Sequence, residues 1–515
     1  MTMFAEVLSG AVVAIDATLV DVQCDISPGL PAFNIVGLPE KEVQESRERI
    51  RSAIRNSGFE FPMKRITANL APADIKKEGV GLDLPLAIGI LKATAQLDIE
   101  TIESTLILGE LSLDGEVRAI KGSLPVAIAC RDHGIKRLIL PKDNAKEAAV
   151  IEELEVFGVK TLEETFKFLN GEQVIAPHPF DPTLFFKQPR DYELDMSEIR
   201  GQEQAKRAME ISATGGHNLL MIGPPGSGKS MLASRLPTIL PDLSFEESLE
   251  VTKIHSIMGM LSKDEPLVTR RSFRNPHHTI SYAGMVGGGH GVPRPGEISL
   301  GHCGVLFLDE LPEFERTVLE TLRQPLEEHE ITISRATTSV TFPANFTLIA
   351  AMNPCPCGHT GDPKKRCRCS PIEIRRYKKR ISGPFLDRID LFVEVPRLTK
   401  DELVSKSQGT SSKEIRERVV EAHCIQQARF KGSKIHGNVQ MGIKEIRDYC
   451  VLEDPARELL ESAIDRFNLS ARAYNRVLKV SRTIADLAQI QKISAEHIAE
   501  AIQYRSSLEI LEGRE

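Results

Sequence analysis

NLLMIGPPGSGKSMLASRL, residues 218–236, is the stretch that decides the architecture of this chain. Its apolar opening, Leu219 to Ile222, reads as a strand buried on both faces. The next eight residues, Gly223, Pro224, Pro225, Gly226, Ser227, Gly228, Lys229 and Ser230, satisfy G-x-x-x-x-G-K-[ST]. A helical pattern follows at once. That context is what the motif needs, because glycines let the backbone curl until its N–H groups and a helix N-terminus face a phosphate chain. Lys229 is then placed to neutralise the β- and γ-phosphates of a nucleoside triphosphate, and Ser230 to ligate Mg²⁺. A chance glycine turn requires neither the strand before it nor the helix after it.

Working outward, a second buried run, Val305 to Leu308, ends in Asp309 and Glu310. Adjacent carboxylates at a strand's C-terminal end lie where ligands bind in open α/β sheets. Asp309 is expected on Mg²⁺ and Glu310 on the attacking water. A third run, NFTLIAAMNP, residues 345–354, ends in Asn353. Near-continuous apolar strands of this kind belong to a parallel sheet covered on both faces.

The chain has 515 residues, enough for about three domains at roughly 150 residues each. Residues 1–170 mix paired strands (AVVAIDATLVDVQCDI) with helices such as KEVQESRERIRSAIRNSG, which predicts an α+β domain. Residues 171–190 are proline-rich and aperiodic, a linker. Residues 191–396 form the nucleotide-binding core, and 397–515 are helical in period. The fold class is α/β.

Lys plus Arg total 65 and Asp plus Glu 72, a formal net charge of -7, so a nucleic-acid partner needs a local basic patch rather than a global field. The absence of Trp and the 5% aromatic content disfavour recognition by dense base stacking. Nine cysteines, an odd number with four crowded together, do not read as a secretory disulfide framework. No basic leader and no run of 18 apolar residues is present, so a cytoplasmic, non-membrane protein is expected.

The order of phosphate loop, acid-bearing strand and Asn353-bearing strand resembles the AAA+ ATPases. That resemblance implies that Asn353, in the sensor 1 position, orients the lytic water. In GPFLDRIDL it implies that Arg388 is an arginine finger offered to a neighbouring subunit, which makes the active form an oligomer, in this family a hexameric ring. In LSARAYNRVLKVSRTIADL it implies that Arg472 is the sensor 2 residue, with Arg476 one turn later as the competitor. Both arginines also fit a plain amphipathic surface.

The interval between Lys229 and Asp309 contains RRSFRNPHHTISYAGMVGGGHGVPRPGEISLGHCG, an insertion rather than a helix. With QPLEEHEITISRATTSVTFPANF it resembles the magnesium-chelatase-like AAA+ group, whose insert and hairpin project into the ring pore. The hairpin here runs from Ile331 to Phe342 with Arg335 at its tip. His277, His278 and His290 lack the helical spacing of a metal site, and a loop or phosphate contact is expected of them.

Cys355, Cys357, Cys367 and Cys369 form C-x-C…C-x-C in a Gly- and Pro-containing loop. Four thiolates at that spacing fit a closed structural Zn²⁺ site, with a redox pair or reduced thiols as the alternatives. The same region supplies the basic patch: Lys364, Lys365, Arg366, Arg368, Arg375, Arg376, Lys378, Lys379 and Arg380, opposed by Glu373. It reads as a phosphate-backbone contact, or as a solvated loop or subunit rim.

In the first domain, LAPADIKKEGVGLDLPLAIGIL and LILGELSLDGEVRAIKGSLPVAIACRDHGIKRLILPKDN resemble the protease domain of Lon, a Ser–Lys dyad family. Gly81 falls at the serine position and Leu124 at the lysine position, with Lys121 and Ser123 beside it. Without a nucleophile paired to a base no covalent route to peptide hydrolysis exists, so a docking or assembly role is expected.

Over nearly its whole length the chain resembles the YifB/ComM family, through FRNPHHTISYAGMVGGG, PRPGEISLGHCGVLFLDELPEF and SARAYNRVLKVSRTIADLA as well as the phosphate loop. The resemblance implies an ATP- and Mg²⁺-dependent hexameric motor acting on single-stranded, forked or branched DNA, promoting branch migration in natural transformation. A magnesium-chelatase-like metal insertase and a protein unfoldase are the alternatives.

Overall fold

In a computed structural model of the chain, the structure describes residues 3–512 apart from 40, 75, 76, 78–80, 98–103, 180–191, 263, 264, 290–292, 336–338, 363, 400–408, 434 and 468. Most of the linker expected at 171–190 and the position of His290 lie outside the described residues, as does the hairpin tip beyond Arg335. The chain divides into two compact units: residues 1–188 with 245–269 and 290–294, and the remainder.

The first unit is built on a seven-stranded mixed sheet. Phe4–Val13 and Asp16–Ser27 pair antiparallel from Phe4↔Asp25 to Val13↔Asp16, the hairpin expected from their apolar runs. Alternate side chains of the first strand, Ala5 and Val7 among them, are buried, as a sheet with one face on a core requires. Thr105–Ile107, Arg137–Pro141 and Glu155–Val159 continue the sheet in parallel. The helix Asp83–Ala93 is buried along almost its whole length and closes this core with Leu84, Leu86 and Ile88.

Chain order places the helix Phe245–Met258 inside the 191–396 segment, but its packing places it in the first unit. Leu249 joins the cluster around Leu124, Val126 and Cys130, and Val251 and Ile254 are buried. Ser256 donates its hydroxyl to the buried Glu147, Gly122 N–H donates to the Ser256 carbonyl at 3.3 Å, and Lys253 pairs with Asp16 at 2.6 Å. Burial of apolar area rather than sequence position decides which core a segment joins.

In the second unit, five strands of the described residues form a wholly parallel sheet in the order Phe273–Arg274, Val305–Leu308, Thr347–Met352, Leu219–Ile222, Leu391–Glu394. The three central strands are buried at nearly every position, which matches their lack of polar alternation. The helices Ser412–Arg429, Asp454–Phe467, Ala471–Leu487 and Ala495–Glu512 make up the C-terminal end. The first of these starts at a capping box in which Ser411 and Glu414 exchange side-chain to backbone hydrogen bonds. Val477, Leu478 and Ile484 share one hydrophobic cluster with Met221, Ile349 and Val393, so these helices and the sheet have a common core. No described helix is long and apolar enough to cross a membrane.

Candidate active site

The register Ile222↔Met352 and Leu308↔Ala350 brings the C-terminal ends of three strands to one edge, and there Gly223, Asp309 and Asn353 each follow their strand. Side chains far apart in sequence become neighbours for this reason alone. The phosphate loop bends through Gly226 (φ 75°) and Gly228 (φ 96°), and a Cβ at either would meet open space. Those two faces are a cradle whose backbone a ligand can approach closely.

Lys229 is buried, and its ammonium donates to the carbonyls of Gly223 (2.7 Å) and Pro224 (3.0 Å) and to Asn353 Oδ1 (3.3 Å). Burial pulls its pKa down, against the opposing pull of Asp309 and Glu310. The buried Ser227 hydroxyl has no hydrogen-bond partner among the described residues. A buried orphan hydroxyl and a buried cation satisfied only by carbonyls and an amide are what a cradle for phosphate oxygens presents. Ser230 Oγ donates to Asp309 Oδ2 at 2.5 Å, and Asp309 Oδ1 accepts the Glu310 N–H at 2.9 Å. Hydroxyl and carboxylate oxygens side by side are the hard donors that Mg²⁺ takes. The residues therefore fit a nucleoside triphosphate with a divalent cation.

Glu310 itself adopts φ 52°, a left-handed backbone that turns it out of the strand. Its Oε2 lies 3.4 Å from His278 Nδ1. That imidazole is flanked by His277, centroids 4.1 Å apart, and by Phe314 edge-on at 6.4 Å. Expected to be a loop or phosphate contact, His278 instead faces the carboxylate. Nothing in its spacing signals this, because the two residues meet only through the insertion's path across the sheet edge.

The four cysteines come together. Sγ separations are 3.4 Å for Cys355–Cys357, 3.7 Å for Cys355–Cys367 and 3.6 Å for Cys357–Cys367, and all four Sγ atoms lie within 4.8 Å of one another. A tetrahedron with Zn–S of about 2.3 Å has S···S edges of about 3.8 Å. The donor set fits zinc. Backbone N–H groups of Arg368 and His359 bring the Cys357 thiol down to about 6, whereas desolvation pushes Cys369 up to about 12. The loop rests on the phosphate loop: Gly358 (φ 78°) lies so close to Pro225 that a Cβ would stand 2.5 Å from its ring. Arg397 joins the two, reaching the Pro225 carbonyl at 3.5 Å and Asp362 at 3.5 Å.

Arg388 and Arg472 line one cavity of about 310 Å³ with Glu327, Asp390 and Arg476, and no phosphate-loop residue is part of its wall. Arg388 is buried, 2.7 Å from Glu327 Oε1, and donates to the carbonyls of Arg323 (3.1 Å) and Pro384 (2.5 Å). Of the two sensor 2 candidates, Arg476 is committed to the buried Asp390 at 2.7 Å, while Arg472 is exposed and has no ion-pair partner among the described residues.

The basic residues are spread along one stretch. Lys364, Lys365, Arg366 and Arg368 are exposed in the cysteine loop, and Arg375, Arg376 and Lys378 lie on the helix Pro371–Lys378, with Lys379 and Arg380 just beyond it. Ser370 caps that helix with Glu373, which ties up the one acid within the patch. Arg376, Lys379 and Arg380 join Arg316 around a cavity of about 430 Å³, where Arg380 pairs with Glu313 at 2.7 Å. Arg335, at the end of the strand Glu330–Ser334 of the antiparallel hairpin, donates to the Gly289 carbonyl in the insertion.

In the first unit, Gly81 precedes the helix Asp83–Ala93, and the Leu124 side chain is buried within the core. Ser123 is buried too, 3.4 Å from Asn144 Nδ2.

Three family models match the chain: "Magnesium chelatase, subunit ChlI" over residues 195–403, "Subunit ChlI of Mg-chelatase" over 22–144, and "Magnesium chelatase, subunit ChlI C-terminal" over 409–505. The competence protein ComM of Haemophilus influenzae is 45% identical over 514 residues, covering 99% of this chain and 98% of its own. The protein YifB of Salmonella typhimurium is 45% identical over 502 residues, 96% of each chain. Lon protease 2 of Bacillus subtilis is 27% identical over 148 residues, 26% of each chain.

Proposed function

Because the chain belongs to the family of ComM and YifB, magnesium-chelatase-type AAA+ proteins with a Lon-like N-terminal region, we propose that it is a cytoplasmic, ATP-driven DNA motor. In this reading a hexameric ring grips single-stranded, forked or branched DNA and promotes branch migration during natural transformation. The competence role named for the relative and the ATPase character of the family support it.

The observation that carries the reading is the meeting of Lys229, Ser230, Asp309, Glu310 and Asn353 at one sheet edge. Lys229 gives up its loop carbonyls for the β- and γ-phosphates, and Ser230 and Asp309 hold the divalent cation, which neutralises the charge that develops on the phosphates. Glu310 takes the proton of the attacking water, and Asn353 orients that water. Arg388 reaches a neighbour's γ-phosphate, assisted by Arg472 from the same cavity. The four cysteines hold zinc as a structural clamp beside the phosphate loop, and Arg335 with the basic stretch 364–380 holds the DNA backbone. With Gly81 and Leu124 at the dyad positions, the Lon-like unit serves assembly rather than peptide cleavage.

The test is the ATPase rate with and without forked or four-way DNA at two salt concentrations. Stimulation that weakens with salt supports the motor. Stimulation by unfolded protein, or by a metal-free porphyrin with its metal, replaces it with the unfoldase or the insertase.

A further inference from the structure

We propose that the first unit carries a binding site for a single strand of DNA, formed by a row of arginines, Arg47, Arg51 and Arg55, on the helix Lys41–Asn56 together with the rings of Phe33 and Phe61. The inference goes beyond the assembly role given to this unit, and the choice of DNA as the strand rests on the motor reading.

The row follows from the helical period. Residues four apart share a face and rise by about 6 Å, so Arg47, Arg51 and Arg55 form a line along one flank rather than a cluster. Val43, Ile50, Ala53 and Ile54 turn into the core, and Arg49, on another flank, pairs with the buried Asp83 at 2.8 Å. The three arginines of the row have no carboxylate partner among the described residues, and Glu48 beside them pairs with none of them. Their heads meet neutral groups instead. Arg47 donates to the carbonyls of Gln44 (2.9 Å) and Phe33 (3.4 Å), and Arg55 Nη2 donates to Met63 Sδ at 3.7 Å. Arg51 Nε is buried with no hydrogen-bond partner among the described residues. A guanidinium offers five N–H donors, so most of those in the row remain for phosphate oxygens.

The rings stand where the strand topology puts them. Ala32–Val36, an edge strand of the seven-stranded sheet, runs parallel to Arg65–Ala71, and the arginine-bearing helix is the crossover between the two. Phe33 opens the first strand and Phe61 shortly precedes the second, which brings their ring centroids to 6.2 Å. The Arg51 guanidinium lies 5.9 Å from the centre of the Phe61 ring. Both rings are half-buried, and Met63 beyond them is exposed. Aromatic residues are scarce in this chain, yet two of them stand beside a cationic row that no acid neutralises. A line of positive charge tracks a sugar–phosphate backbone, and a ring next to it, itself faced by a guanidinium, takes a base by stacking. The bases of a duplex are already paired and stacked on one another, so the site fits an unpaired strand.

The experiment measures binding of the full-length protein to a fluorescent oligo-dT and to a blunt duplex across a range of salt. It compares wild type, Arg47→Gln combined with Arg55→Gln, Arg47→Lys combined with Arg55→Lys, and Phe61→Leu. Arg47 and Arg55 are exposed, so the fold survives their replacement. Losing two phosphate contacts flattens the slope of log K against log salt by about 1.4 and weakens oligo-dT binding roughly tenfold or more at about 0.1 M salt. The charge-keeping pair of substitutions returns the slope to that of wild type. Phe61→Leu keeps an apolar side chain but no ring, so it weakens oligo-dT binding several-fold, with the slope unchanged and duplex binding as before. If the charge-removing pair matches wild type in slope and affinity, or Phe61→Leu holds oligo-dT as tightly as wild type, the proposal is overturned and the motor reading stands on its other basic residues. A defect confined to the size of the assembly, read by light scattering, also overturns it and makes the row a contact between copies of the chain. If wild type binds neither DNA, the motor reading itself falls and this site falls with it.

Discussion

Arg388 Nη2 stands 2.7 Å from Glu327 Oε1, and the arginine is 6% exposed against 46% for the glutamate. In the single chain this guanidinium is thus paired with an acid in the wall of a cavity. A finger acting on a neighbour must leave Glu327. Arg388→Ala is expected to cut turnover of the assembled protein by about 10³-fold. Mixing it with Lys229→Ala should recover activity, since one variant supplies the phosphate loop and the other the arginine at shared interfaces. A mixture no more active than either variant alone would place Arg388 outside the reaction.

Lys229 and Glu310 should fail differently. Lys229→Ala removes the buried cation of the cradle, so fluorescent ATP binding is lost along with turnover. Glu310→Gln keeps the cradle and the Ser230–Asp309 pair, so binding persists while hydrolysis falls by roughly 10²-fold or more. Equal loss of binding in both variants would show that Glu310 holds the nucleotide rather than the water.

The parts that were legible in the sequence are those whose physics is local. The phosphate loop needs a strand, two open-faced glycines and a helix within one short stretch, and the buried strands Val305–Leu308 and Thr347–Met352 announce themselves by the absence of polar alternation. The four cysteines are close in sequence, so their convergence takes one loop. His278 beside Glu310, Glu327 beside Arg388 and the allegiance of the helix Phe245–Met258 to the first unit are products of long-range packing, and no periodicity encodes them. Arg472 and Arg476, one turn apart, look alike until Asp390 claims one of them.

That claim gives a prediction with a pH dependence. Burial pushes the Asp390 carboxyl up, but Arg476, His217 and the Asn218 N–H more than offset it and hold the group well below the usual carboxylate range. A carboxyl whose folded pKa is depressed adds stability that is present above its unfolded value, about 3.9, and is lost as pH falls through the folded value. Arg476→Ala leaves a buried charge unpaired, at a cost of about 3–5 kcal/mol, and raises the Asp390 pKa. Its stability relative to wild type should therefore decline as pH rises from the unfolded carboxyl value through the raised Asp390 value. Arg472→Ala should leave thermal stability within about 0.5 kcal/mol and lower kcat instead. Thermal melts across pH 4–8 beside ATPase rates decide the matter, and a reversed pattern would exchange the two roles.

The cysteine cluster makes the last prediction. Sγ separations of 3.4–3.7 Å are near tetrahedral edges and far above a disulfide bond, so the purified protein should carry about one zinc per chain by elemental analysis. Because the loop leans on Pro225 through Gly358, metal loss should reach the nucleotide site. Chelation, or Cys367→Ser, is expected to lower the melting temperature and raise the Kd for ATP together, with zinc re-addition reversing the chelation. Metal-free protein whose four thiols alkylate freely and whose ATP affinity matches wild type would reduce the cluster to ordinary thiols.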